Sequence, residues 1–275
     1  MNRVARVTEQ GQLDKMTACL RNAFGIGVDL GKFQGNPFMN EPTGQKTRGD
    51  SPQAAAREFR SLLGASEGVP GQSGTDPDIL EQLGGLEAWA EARGELAGGG
   101  WLTEAQCGGA EHFIQHAAGD ERLVKVTYPG EYGLRMRLVL PAGTMPDRLS
   151  DAIGLGPATP LQYLDRLALH NDLFGDDVEF LGLVRQRGRL SMVISQIFLR
   201  GEKPEIPQIE SFMADNGFRK AGGENVYFRT EDRLAVFDAH ARNFVLTEGV
   251  PVPFDVIPQY VSGRMEALLA LWARK

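Results

Sequence analysis

The sequence predicts an α+β fold, because segments with strand and helix patterns alternate in irregular blocks. From residue 101 the order is strands, helix, strands, helix, strands, helix. This order is typical of mixed domains and differs from the regular strand–helix repeat of a doubly wound sheet. The hydrophobic fraction of 42% is sufficient for a real core.

The first 95 residues are predicted to form an N-terminal helical and low-complexity region. Residues 25–80 are rich in Gly, Pro, Gln, Ser and Asp, which is typical of linkers. Helical patterns interrupt this composition at 51–64 and at about 79–93. We expect the region to be poorly ordered, and its first 80 residues to add little to the core of the domain at 96–275.

Strand and helix patterns account for most of the domain. Alternating apolar residues predict one hairpin from EHFIQHA and ERLVKVTY, and a second in VEFLGLVRQRGRLSMVISQIF that turns at Arg187–Gly188. Helices are predicted at 159–173, 207–216 and 261–274. The first of these helices has an apolar stripe formed by Leu161, Leu164, Leu167 and Ala168.

Composition excludes several classes of protein. The net charge of −7 and a pI near 5.3 argue against a general affinity for nucleic acid, which needs a basic face. The two cysteines belong to no C-x-x-C pattern, so neither a zinc site nor a disulfide framework is expected. No apolar run approaches the ~20 residues of a membrane span. We therefore expect a soluble, cytoplasmic protein.

A cluster of polar residues near the C-terminus suggests a metal and phosphate site. If NFVLTEGVPVPFD forms a hairpin in which Leu246 pairs with Pro251, Asn243 lies opposite Phe254 and next to Asp255. An amide oxygen and a carboxylate are hard ligands of the kind that Mg²⁺ accepts. Asp238 begins the same loop and could meet an incoming hydroxyl. Alternatively, these side chains could simply satisfy the amides of a turn.

Several segments resemble those of the protein-kinase-like superfamily. Asp238-Ala-His240-Ala-Arg-Asn243 followed by Phe254-Asp255 looks like its catalytic loop and metal-binding segment. GGAEHFI and RLVKVTYPG are similar to a glycine-containing nucleotide hairpin and the lysine strand that follows it. GG-x-E-H, YLDRLALHN-x-LF and FDAH-x-RNF resemble the serine/threonine/tyrosine-kinase-like domain of polyvalent proteins, found on phages and conjugative elements. The resemblance spans about residues 100–260.

The resemblance implies a two-lobed kinase-like fold, with an N-lobe at about 96–197 and a short, truncated C-lobe at about 198–275. It implies a phosphotransferase that uses ATP and Mg²⁺ and moves the γ-phosphoryl group to a hydroxyl of an unknown acceptor. In the implied site, Asp238 orients or deprotonates the acceptor, and His240 braces Asp238. Gly108 and Gly109 close over the nucleotide, Lys125 binds its phosphates, and Gln196 contacts the nucleotide near the hinge. Asn243 and Asp255 bind Mg²⁺.

The sequence also departs from the kinase pattern. No glutamate occurs in the helix at 159–173 to pair with Lys125, and Asp165, Gln162 and Glu111 are the candidate substitutes. The only part of a D-F-G triplet present is Asp255, after which about 20 residues follow. These departures favour an alternative, a nucleotide-binding pseudokinase or an interaction module of a mobile-element protein. A third possibility is an α+β domain that binds no ligand.

Overall fold

Helices occur where their patterns indicate in the part of the chain that the structure describes. The computed structural model describes residues 49–65, 77–96, 107–115, 121–141, 143–222 and 225–273. The helices are α1 (Pro52–Leu62), α2 (Ile79–Arg93), α3 (Pro160–Phe174), α4 (Ile206–Asp215) and α5 (Gly263–Trp272). Each prediction is confirmed to within about two residues, the usual uncertainty of a helix end. None of these helices is both long and apolar enough to cross a membrane.

In the described residues, strands and two short 3₁₀ helices, Leu149–Asp151 and Ala241–Asn243, make up the rest of the regular structure. The strands are β1 (Cys107–Gly108), β2 (His112–Gln115), β3 (Arg122–Thr127), β4 (Leu134–Leu138), β5 (Ile153–Pro157), β6 (Glu179–Gln186), β7 (Arg189–Ile197), β8 (Arg219–Lys220), β9 (Tyr227–Arg229), β10 (Leu234–Phe237), β11 (Phe244–Thr247), β12 (Val250–Pro253) and β13 (Ile257–Tyr260). The mixture of helices with several sheets confirms the predicted α+β class.

A five-stranded antiparallel sheet, in the order β1-β2-β3-β7-β6, contains both predicted hairpins. The β6–β7 turn falls at Arg187 and Gly188, with φ of 49° and 75°. Two consecutive left-handed residues give a turn whose twist matches that of the flanking strands. Strand β3 lies in the middle of the sheet between β2 and β7. Its side chains are therefore flanked on both sides by those of the neighbouring strands, which shield them from solvent.

Helix α3 packs against this sheet. Thr159 caps its first turn, Pro160 begins it, and Gly175 ends it with a φ of 64°. The predicted apolar stripe is buried, and two polar side chains, Arg166 and His170, are buried with it. These polar residues on the inner face of α3 are in the part of the fold where the candidate site is found.

The N-terminal helices belong to the same core, which overturns one expectation. Phe59 of α1 stacks on Trp89 of α2, and Trp89 stacks on Phe180 of β6. All three side chains are fully buried in the cluster that contains the inner face of α3. The expectation that the first 80 residues add little to the core is therefore wrong for α1. Residues 1–48 of the predicted region lie outside the described residues, and a domain boundary near residue 95 stays a prediction.

A second core joins the C-terminal sheet (β13-β10-β9-β8) to α5 and to the β4–β5 hairpin. The side-chain amide of Gln259 in β13 bonds both the N–H and the carbonyl of Met136 in β4, at 3.2 Å each. Leu149 and Ile153 lie in this core, although the division into lobes places them in the N-lobe. Their position ties the chain between β3 and α3 to the C-terminal sheet. The division into lobes at 197/198 stays a prediction.

Candidate active site

Lys125 extends from the central strand β3 into a small cleft. Only 5% of the residue is exposed, and its neighbours across the ladder are Ile114 and Ile194. Its Nζ lies 4.0 Å from Oδ1 of Asp255, the only carboxylate that forms an ion pair with it among the described residues. The side chains of both residues line the cleft, together with His112, Arg166, His170, Gln196 and Phe254. The structure thus brings together the predicted phosphate-binding lysine and one predicted metal ligand.

The β11–β12 hairpin has the predicted register. Leu246 pairs with Pro251, and the Phe254 N–H donates to the Asn243 carbonyl at 3.0 Å. Asn243 and Asp255 therefore lie at the same end of the hairpin. The Asn243 side chain donates to the carbonyl and to Oδ2 of Asp238, at 2.8 and 3.0 Å. These bonds use the amide nitrogen, whereas a cation would bind the amide oxygen.

Asp238 follows β10, whose last residue, Phe237, pairs with Ile257 of β13. This pairing sets Asp238 beside the segment that carries Asp255. Asp238 has a φ of 55°, a left-handed conformation that costs energy in a residue with a Cβ and often marks functional sites. The His240 Nε2 lies 3.3 Å from Oδ1 of Asp238, in agreement with the bracing contact suggested by the sequence.

The surroundings of Asp238 alter its acidity. Burial raises the pKa of its carboxyl group above the ordinary value, and the charges of Asp255 and Glu111 raise it further. The contacts with His240 and Asn243 oppose this rise without cancelling it. A carboxylate with a raised pKa is a better proton acceptor, which is the property needed in a general base.

The Gly108–Gly109 turn joins β1 to β2 at the edge of the sheet. Gly108 pairs with Phe113, the Gly109 N–H donates to the His112 carbonyl at 2.8 Å, and the Tyr128 hydroxyl donates to the Gly109 carbonyl at 2.6 Å. One strand, β2, separates this turn from β3 and Lys125. The turn is therefore anchored near the cleft without lining it.

Gln196 lies in β7 with 2% of its surface exposed, and its side-chain amide bonds other protein groups. The amide nitrogen donates to Oδ2 of Asp176 at 2.5 Å and to the Phe254 carbonyl at 3.2 Å. Burial works to raise the pKa of Asp176, but bonds from His170 and Gln196 lower it overall. In this structure Gln196 fixes the segment just before Asp255, and a nucleotide contact by its side chain stays a prediction.

None of the three candidate partners reaches Lys125. Asp165 pairs with Arg60 of α1, while the Gln162 side chain accepts from the Thr159 N–H at 3.0 Å in a capping box. Glu111 pairs with Arg166 of α3. The inner face of the helix thus contributes a cation, Arg166, and none of its described carboxylates pairs with Lys125.

Three further residues near the cleft were not among the predicted site residues: His112, Tyr163 and Arg166. Tyr163 and Arg166 are three positions apart on the inner face of α3, and a charge on an otherwise apolar helix face was the available signal. The His112 Nε2 lies 2.7 Å from the Tyr163 hydroxyl. Burial, reinforced by the charges of Lys125 and Arg166 and opposed by Asp255, lowers the pKa of His112 to about 3. His112 is therefore neutral at pH 7.

Asn243 and Asp255 fit a Mg²⁺ ion whose remaining ligands come from a bound nucleotide and water. No group of three or more His, Cys, Asp or Glu side chains with metal-binding geometry occurs in the described ranges. The side chain of Asp255 is 47% exposed, so it can reach a ligand from solvent. One carboxylate and one amide, completed by phosphate oxygens and water, suit Mg²⁺, which seldom occupies an all-protein cage.

Comparison with known proteins identifies a related family for part of the chain. Residues 150–257 match the model of a family described as "Serine/Threonine/Tyrosine Kinase found in polyvalent proteins". The matched segment contains α3 and the loop from Asp238 to Asp255, but it begins after the glycine turn and Lys125. The resemblance seen in the sequence is confirmed over this segment, which supports a kinase-like phosphotransferase in general terms. No curated protein and no solved structure matches the chain.

Proposed function

We propose that the chain is an ATP-dependent phosphotransferase that moves the γ-phosphoryl group to the hydroxyl of an acceptor. The observation that carries the proposal is that Asp255, in the loop before β13, pairs with Lys125 of β3 while its charge also acts on Asp238, which follows β10. The family match over residues 150–257 supports the same type of reaction. A two-lobed kinase arrangement with a short C-lobe is part of the proposal.

Each residue has a role that its surroundings favour. Lys125, buried and within reach of Asp255, would leave that carboxylate and bind the α- and β-phosphates of the nucleotide. The Gly108–Gly109 turn would cover the phosphates from the edge of the sheet. Asn243 and Asp255 would bind Mg²⁺, which when present supplies positive charge to the phosphate oxygens.

The chemical step requires little covalent participation by the protein. The acceptor oxygen attacks the γ-phosphorus, the bond from that phosphorus to the β–γ bridging oxygen breaks, and ADP leaves with the bond's electron pair. Asp238 would orient the acceptor and take its proton, a role that its raised pKa favours. His240 would keep the Asp238 carboxylate in position. Positioning and electrostatic stabilisation account for most of the rate in such reactions.

A nucleotide-binding pseudokinase or an interaction module is the second candidate function. It is favoured by the pairing of Lys125 with Asp255 and by the absence of any carboxylate on α3 that reaches Lys125 among the described residues. From the resemblance, we also propose that the chain is part of a mobile-element protein. A cytoplasmic location, expected from the composition, stays a proposal.

Two measurements on the wild-type chain test the proposal. Calorimetry with Mg·ATP, Mg·ADP and metal-free ATP should show binding that depends on Mg²⁺, and Lys125→Met should weaken it. Transfer of labelled γ-phosphate to a panel of proteins, nucleic acids and small alcohols should identify the acceptor. Binding without transfer to any acceptor or to water would favour the pseudokinase. A chain that binds no nucleotide with or without Mg²⁺ would rule out the phosphotransferase and the nucleotide-binding pseudokinase.

A further inference from the structure

A buried ion pair joins the glycine turn to helix α3. Arg166 meets Glu111 through two parallel bonds, Nη1 to Oε1 at 2.8 Å and Nη2 to Oε2 at 2.5 Å. Only 9% and 10% of the two side chains are exposed. Burial acts to lower the pKa of Arg166, but the charge and hydrogen bonds of Glu111 raise it overall, so the guanidinium keeps its charge. Two-point contacts of this kind fix orientation as well as distance.

The same pair also binds the start of β4. The Leu134 N–H donates to Oε1 of Glu111 at 3.2 Å, and Nη1 of Arg166 donates to the Leu134 carbonyl at 2.9 Å. Both backbone groups of Leu134 are thus satisfied by the ion pair. Glu111 is two residues beyond Gly109, so the pair connects the glycine turn, β4 and α3 at one point.

The ion pair and Tyr163 pack so closely against the backbone of Gly133 that a side chain at this position would not fit. Gly133 has a φ of 74°, and a Cβ there would lie 2.7 Å from Cδ2 of Tyr163 and 3.1 Å from Oε2 of Glu111. A methyl group would therefore press on the ion pair from the side. Tyr163 completes the packing, since the guanidinium carbon of Arg166 lies 5.5 Å from the centre of its ring.

We propose that Glu111 and Arg166 are positioning residues that set the height of the Gly108–Gly109 turn over the nucleotide phosphates. This inference rests on the proposed function. It explains how α3 can be coupled to the nucleotide site without a glutamate for Lys125. The coupling runs through the glycine turn, and Lys125 remains free to exchange Asp255 for phosphate. The 4.0 Å separation of Lys125 and Asp255 exceeds a hydrogen bond, so this contact is easily exchanged.

A pair that served only stability would behave differently from a positioning pair. Replacing a purely structural ion pair would lower the melting temperature without altering nucleotide affinity in the folded protein. Loosening a turn that covers the phosphates would raise the Kd for Mg·ATP even where folding is complete. A backbone N–H that no longer reaches a charged phosphate oxygen loses a charge-assisted hydrogen bond, which lowers affinity by roughly 10- to 100-fold. The two roles are therefore separated by affinity measured on folded protein.

The first variant is Arg166→Lys, which keeps the charge but loses the two-point contact. Because a hydrogen bond from the turn to phosphate would be lost, we expect the Kd for Mg·ATP to rise roughly 10- to 100-fold. Hydrogen exchange should show that Mg·ATP protects the peptide 107–115 less than in the wild type. The matched control is Arg185→Lys, because Arg185 also binds two carboxylate side chains, Glu87 and Glu95, on the exposed surface. Its Kd should equal that of the wild type.

The second variant, Gly133→Ala, disturbs the pair without removing either charge. Its matched control is Gly143→Ala, where φ is 81° and a Cβ would meet nothing within 4 Å. Both variants impose the same kind of backbone strain, and only the first presses on Glu111. We expect Gly133→Ala to weaken Mg·ATP binding by at least roughly fivefold more than Gly143→Ala does.

The outcomes separate this inference from the proposed function. If the wild type binds Mg·ATP and neither Arg166→Lys nor Gly133→Ala changes the Kd, the positioning role is overturned and the proposed function stands. A wild type that binds no nucleotide overturns both. If Arg166→Lys does not fold, the comparison of Gly133→Ala with Gly143→Ala decides the question alone.

Discussion

The Nζ of Lys125 lies 4.0 Å from Oδ1 of Asp255, although the lysine belongs to the five-stranded sheet and the aspartate to the loop between β12 and β13. This contact joins the two halves of the candidate site. A buried lysine beside a half-exposed carboxylate can accommodate both phosphate and Mg²⁺, because phosphate pairs with the lysine and Mg²⁺ with the carboxylate.

Asp255→Asn should weaken Mg²⁺-dependent nucleotide binding. The change removes a full negative charge from a hard-cation site, where two opposite unit charges about 4 Å apart attract by about 4 kcal/mol before the cost of desolvation. The Kd for Mg·ATP should therefore rise roughly tenfold or more, with little change for metal-free ATP. Calorimetry in the presence and absence of Mg²⁺ measures both. Asp215→Asn, at the exposed end of α4, is the control. An equal loss with and without Mg²⁺ would contradict a metal-binding role.

Asp238→Asn should lower turnover and leave nucleotide binding almost intact. A general base acts on the transition state, and its loss typically reduces the rate by about 10²–10⁴-fold. The phosphate-transfer assay, or ATP hydrolysis if water is the acceptor, gives the rate, and calorimetry gives the Kd. If Asp238→Asn weakened Mg·ATP binding as much as Asp255→Asn did, its role would be in binding the nucleotide.

His240→Gln should shift the pH dependence of the reaction. Only deprotonated Asp238 can accept a proton, so kcat/KM should fall as pH drops through the pKa of this carboxyl. Burial raises that pKa and His240 lowers it, so removing the imidazole should raise it further. The acidic limb of the kcat/KM profile should therefore move to higher pH. A limb that stays in place would show that His240 does not act on Asp238.

His112 should make the fold sensitive to acid. Its pKa is about 3 in the folded protein, against an ordinary value of 6.5. Between these values the unfolded chain binds a proton that the folded chain excludes, so stability falls as the pH falls. The contribution is about 1.4 kcal/mol per pH unit. His112→Gln should remove this part of the slope in denaturant unfolding measured from pH 7 to 4. Identical slopes in the two proteins would contradict burial of His112.

Phe59→Ala should test whether α1 belongs to the core. Phe59 is fully buried between α1 and α2, and removing a buried aromatic ring typically costs about 3–5 kcal/mol. Leu62→Ala lies on the same helix at 39% exposure and should cost less than about 1 kcal/mol. Chemical denaturation of both variants gives the comparison. Equal, small losses would show that α1 packs loosely on the domain.

Local sequence patterns predicted most elements of the fold and much of the candidate site. Apolar periodicity identified α3, and turn residues identified the turn of the β6–β7 hairpin and the register of the β11–β12 hairpin. These features depend on neighbours a few residues apart, whose backbone geometry is restricted by sterics and hydrogen bonding. The closeness of Asn243 and Asp255 followed from one hairpin register, so it could be predicted.

Contacts between side chains that are distant in sequence could not be predicted, because they depend on how the elements pack. Phe59 lies in a helix whose flanks have a linker-like composition, and its burial depends on Trp89 and Phe180, which are far along the chain. The pairing of Arg166 with Glu111, and of Lys125 with Asp255, depends on how α3 and two separate sheets pack. A buried charged side chain pairs with the nearest opposite charge in the packed core, because an unpaired buried charge would lower the stability of the fold. Which opposite charge is nearest depends on the packing of the whole core, so it cannot be predicted from a short stretch of sequence.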